Sequence, residues 1–121
     1  MLDTKTLLNA TLIGTALQVA MVVGGHFIPF IALHVFMFGG MAISAIAGAI
    51  YGRAASGFGG AALGGAIAGG VCALLGIAVS VLLGDTETMI LALGTCSSTV
   101  TGVFGGVVGR LVSGARTATA A

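Results

Sequence analysis

Few side chains in this sequence could do chemistry, and their spacing limits what they could do. His34, Met37 and Met41 recur at i, i+3 and i+7, on one face of a helix. Imidazole with soft thioethers is a donor set for Cu(I), but methionine is also a common gap-filler, and no metal site is assigned. Ser97 or Ser98 with His34 is the only nucleophile–base pairing inside the apolar segments. His34 follows Pro29 by five residues, about 7 Å down a helix, whereas the serines fall near the middle of theirs. That mismatch argues against an intramembrane hydrolase, which needs nucleophile, base and oxyanion hole together. No enzymatic activity is expected, and His34 is kept only as a candidate sensing group.

The remaining polar groups are sparse. Cys72 and Cys96 are single thiols in apolar runs with no C-x-x-C or zinc spacing, so they read as packing residues. His26 reads as an isolated loop residue. Just before an apolar run, Asp85 or Thr86 can cap the helix and Glu87 complements its dipole, so both acids read as helix-end groups. Neither lies inside a span, so proton coupling through an intramembrane acid is disfavoured. Thr11, Thr15 and Gln18 form a polar stripe, and the stretch TCSSTVT at residues 95–101 sits at similar depth. These groups would be interhelical glue, or a hydrophilic path along Gln18, Ser97, Ser98 and Thr101. There is no phosphate loop, dinucleotide fingerprint or basic nucleic-acid patch. No cofactor and no nucleic-acid partner are expected.

The elements holding these groups must lie in a bilayer. The chain has 121 residues, 58% hydrophobic and 6% charged, with a mean hydropathy of +1.22; soluble domains carry roughly 25% charge. Four stretches, at about residues 7–24, 29–51, 61–83 and 88–112, approach or exceed the roughly 20 residues that a span requires. The N-terminal run lacks an A-x-A site and is read as uncleaved. The fold expected is an all-α integral membrane protein, a single four-helix domain built of two antiparallel hairpins. Lys5, Arg53, Arg110 and Arg116 would all fall on one side. By the positive-inside tendency, both termini are expected in the cytoplasm, at a bacterial inner membrane. Tyr51, Phe27 and Phe30 read as interfacial aromatics.

The stretch GAIYGRAASG at residues 48–57 returns as GGVVGRLVSG at residues 105–114. At that offset Gly40 aligns with Ser97, Ser44 with Thr101, Gly48 with Gly105 and Gly52 with Gly109. Small residues at every fourth position suit close helix crossings in lipid, a glycine-zipper pattern. The third span carries one too, through Gly60, Gly64, Ala68 and Gly76. The repeat suggests a parallel pseudo-twofold between the hairpins. The repeated Arg53 and Arg110 would anchor at the interface or share a headgroup or anion site. Three stripes in so small a protein suggest a structural or accessory subunit, packing into a homo-oligomer or a larger membrane complex. The alternative is a small channel or transporter for a neutral or weakly charged solute. The lipid bilayer is the one certain partner.

Overall fold

The computed structural model describes residues 4–30, 35–55 and 57–120. Its long helices are α1 (Thr4–Phe27), α2 (Phe36–Ala54), α3 (Phe58–Leu82) and α4 (Thr88–Ala120), with no strand among the described residues. Three segments, Thr4–Phe27, Phe58–Leu82 and Thr88–Ser113, are long and apolar enough to cross a membrane. At 1.5 Å per residue they reach about 36–39 Å, against a hydrocarbon core of about 30 Å. This is an all-α membrane protein. Its outward faces carry large apolar side chains, among them Leu12, Phe38, Leu82 and Phe104.

α2 starts later than the sequence suggests. Ile28, before Pro29, is non-helical, as the clash with a proline ring favours. The continuous helix begins at Phe36, behind a Val35 that supplies no side-chain cap. α3 ends in a Schellman turn. Gly84 takes φ +80°, its N–H donates to Val81 O at 3.0 Å, and the Asp85 N–H donates to Ser80 O at 3.0 Å. Glycine is the residue that reaches this left-handed position without a Cβ penalty. Asp85 and Thr86 do not turn to cap α4. Asp85 Oδ2 lies 2.8 Å from His26 Nδ1, and Thr86 Oγ1 lies 2.6 Å from Ser80 Oγ. The loop therefore ties the ends of α1 and α3 together. His26, read from the sequence as an isolated loop residue, lies in the last turn of α1 and has its partner in that loop.

Among the described residues, α2 and α3 each pack against every other helix, while the backbones of α1 and α4 do not pack against each other. A two-fold relating the hairpins would pair α1 with α4 as it pairs α3 with α2. Among the described residues the first of these pairings is absent.

The closest packing is at the arginine end, where backbones meet. A Cβ added at Gly48 would overlap Gly102 O, and one at Gly52 would overlap Gly106 O. From the other side, Gly105 is seated on Ala45 O and Gly109 on Ala49 O. α4 also presents Gly102 to Gly65 O and Gly106 to Ala61 O of α3. It thus lies as a wedge on α2 and α3, with two adjacent small faces. At such contacts Cα–H···O interactions add modest stability, and packing drives association. The sequence reading found the Gly105/Gly109 face and overlooked the Gly102/Gly106 face, although its spacing is the same.

Other stripe residues fall differently from expectation. Gly60 has nothing within 4 Å of an added Cβ, because the face of α3 that meets α4 runs through Ala61, Gly65 and Gly69. Ser97 is exposed and Thr101 is half-buried. Gly64, Ala68, Cys72 and Gly76 are buried on a second face, and an added Cβ at Gly76 would lie 2.6 Å from Gln18 Cβ. Tyr51 does not face outward. It is 2% exposed, its ring lying in the space left by the missing side chain of Gly64. α1 faces inward through Ala10, Gly14, Gln18, Val22 and Gly25, a stripe of period near four that the Thr11–Thr15–Gln18 pattern obscured.

Candidate functional site

Toward the acidic-loop end the helices part in pairs. Gly39 and Gly40 of α2 stay against α1, with an added Cβ at Gly40 lying 3.6 Å from Gln18 Oε1. Gly94 of α4 stays against Ile77 of α3. α2 therefore leans on α1 and α4 leans on α3. The space between them is a cavity of about 520 Å³ lined by all four helices. Its walls are apolar: Met21 and Val22 from α1, Phe36 and Met41 from α2, Ile77 from α3, Ile90 and Leu93 from α4. Gln18, Ser97 and Ser98 form its floor, and Asp85, Thr86 and Glu87 border its mouth.

The floor is built on Gln18, which is 2% exposed. Its Nε2 donates to Gly40 O at 3.1 Å and lies 3.4 Å from Ser44 Oγ. An amide turned the other way would set carbonyl against carbonyl, so this orientation follows from the donor inventory. Ser44 Oγ donates to Gly69 O at 3.1 Å, and Cys72 Sγ donates to the same oxygen at 3.3 Å. Three helices are joined through this cluster. Among the described residues no hydrogen bond reaches Gln18 Oε1, nor Ser98 Oγ on a residue 4% exposed; the fully buried hydroxyls without a partner are those of Thr15 and Thr95. The cavity floor thus offers an acceptor and a hydroxyl.

The structure brings Gln18, Ser97 and Ser98 to one cavity and leaves Thr101 outside it. Thr101 Oγ1 donates to Ser98 O of its own helix at 3.0 Å. Beneath the floor, the glycine contacts of α2, α3 and α4 close the way with backbone atoms. In one chain the cavity is blind at the arginine end.

Arg53 and Arg110 occupy unlike surroundings. Arg53 is exposed in the last turn of α2, whereas the Arg110 guanidinium lies 5.7 Å from the centroid of the Phe58 ring, a cation–π distance. His34 lies outside the described residues, as does the side chain of Met37. Met41, from the same sequence pattern, lines the cavity. His26 and Asp85 form a pair without a third ligand, and no metal-holding group of His, Cys, Asp or Glu is found among the described residues. Comparison with known proteins finds no matching family model, no matching curated protein and no matching solved structure.

Proposed function

We propose that this chain is a small, non-enzymatic membrane protein that binds or carries a neutral or weakly charged solute in the cavity between α2 and α4. One observation carries the reading: a cavity of about 520 Å³ with apolar walls and unmatched polar atoms on its floor. Ligand sites are commonly of this size and lining. Passage across the bilayer would require α2 and α4 to part at their glycine seam, or a second copy to complete a path. In this reading the whole chain is one membrane domain and α2 is the fourth span, since it packs against three helices that can each cross. Lys5, Arg53 and Arg110 lie at the end opposite Asp85 and Glu87. Their placement supports cytoplasmic termini, here in a bacterial inner membrane.

The accessory-subunit reading has less support. Its motive was a surplus of small-residue faces, but Gly48, Gly52, Gly105 and Gly109 are covered within one chain. Gly57, Gly59 and Gly60 around the start of α3, and Gly84 after its end, retain open space for a homo-oligomer or a larger complex.

The test is flux through liposomes holding the purified protein, across ions, water and small polar solutes, compared with Ser97→Trp. That residue is exposed on the cavity floor, so the indole would fill the cavity and leave the seam untouched. Flux lost in a variant of unchanged thermal stability supports the reading. Absence of flux together with absence of any solute-induced stabilisation of the natural chain removes it. Mass in mild detergents addresses the other reading: a lone monomer with no co-purifying partner counts against a subunit.

A further inference from the structure

Resting on the cavity reading above, we infer that the cavity selects amphiphilic organic cations, holding a protonated amine at the mouth and an apolar body between the walls. Three separate features converge on this class. The mouth carries two carboxylates, Asp85 and Glu87, and no Lys or Arg is found among the described lining residues. Asp85 shares its charge with His26, while Glu87 has no ion pair among the described residues. A mouth of one sign beside low-dielectric walls concentrates the field on an entering charge.

The walls decide that the cation is organic. A hard metal ion takes six or more oxygen ligands, whereas most of this lining is aliphatic, aromatic or thioether. Met21 of α1 and Met41 of α2 both line the space. Their flexible, polarisable side chains accommodate bodies of different shape. The floor supplies the third feature. Gln18 Oε1 and Ser98 Oγ belong to side chains more than nine-tenths buried and lack partners among the described residues. A polar function at the inner end of a ligand matches them, as the few polar groups of an apolar site commonly do. Glu87, just before α4, and Ser98 on it are eleven residues apart, about 16 Å along the helix direction. One elongated molecule can therefore meet both ends.

The experiment uses the full chain in nanodiscs of zwitterionic lipid, labelled with carbon-13 at the methionine methyls and titrated with phenylbutylammonium, phenylbutanol and phenylbutyrate. Met21 and Met41 line the cavity, and Met89, 67% exposed and outside the lining, is the internal reference. The ammonium should shift the Met21 and Met41 signals saturably and leave Met89 still. It should bind about fivefold to tenfold more tightly than the alcohol, the scale of two rim charges, with the carboxylate weakest. Asp85→Asn with Glu87→Gln should bring ammonium and alcohol to equal affinity while the alcohol still shifts the same two methyls. Glu87→Gln alone leaves the His26–Asp85 pair intact and should remove part of the preference, so the result does not hang on the loop surviving the double change. An alcohol bound as tightly as the ammonium by the natural chain would overturn the charge selection, and so would a preference unchanged in the double variant. Both outcomes leave the cavity as a binding site. If no probe moves Met21 or Met41, the cavity reading itself fails.

Discussion

Gly48→Ala adds one methyl group at the point where α2 crosses α4. That Cβ would overlap Gly102 O and lie 3.0 Å from Gly106 N. Both are backbone atoms, so no side chain can swing aside. Non-bonded carbon contacts settle near 3.5–4.0 Å, so the helices must separate by roughly 1 Å. The separation also loosens Gly52 on Gly106, Gly105 on Ala45 and Gly109 on Ala49. Overpacking typically costs about 1–3 kcal/mol, and a seam of shared contacts puts this case near 2–3 kcal/mol by the same scale. Gly60→Ala is the matched control, the same chemical change on a helix with nothing within 4 Å. It should fall within about 0.5 kcal/mol of the natural chain, or gain up to about 1 kcal/mol from helix propensity. Reversible unfolding in mixed micelles, followed by circular dichroism, compares the two. Equal stability of Gly48→Ala and Gly60→Ala would refute the backbone seam. Gly105→Ala strikes the same seam from α4, and its combination with Gly48→Ala should cost less than the sum, because the helices are already apart.

Gln18→Leu removes the bonds to Gly40 and Ser44 but leaves Ser44 bonded to Gly69. The expected loss is about 0.6–1.7 kcal/mol, the range of interhelical bonds in bilayers, and a loss above about 3 kcal/mol in the same unfolding assay would contradict that scale. Gly64→Ala drives a methyl group into the Tyr51 ring, so a double-mutant cycle with Tyr51→Ala should show coupling of at least about 1 kcal/mol. Additive effects would mean that the ring does not occupy the slot at Gly64. Arg53→Ala and Arg110→Ala should act independently, adding within about 0.3–0.5 kcal/mol, since one side chain is exposed and the other lies over Phe58. Native mass spectrometry with anionic lipid reads this directly, and one substitution releasing nearly all bound lipid would point instead to a shared site.

Membrane residence and helical class were legible from composition, because 6% charge cannot cover a water-facing surface. The small-residue spacing of α2, α3 and α4 was legible too, since it depends on helical period. Gln18, Ser97 and Ser98 stood out as the polar groups of the apolar spans. What the sequence could not decide was which of several neighbouring small faces meets which helix. A stripe at Gly105 and Gly109 and one at Gly102 and Gly106 have the same spacing, and only the relative placement of α2 and α3 assigns each its partner. The same placement put Tyr51 in the core, left Gly60 in open space, and set His26, in the last turn of α1, beside Asp85 in the loop after α3. The cavity belongs wholly to tertiary structure. It exists because backbone contact between α2 and α4 holds at one end, while at the other each helix leans on a different neighbour. Local periodicity encodes which residues can share a face, but the gap between two faces is set by how four helices pack at once.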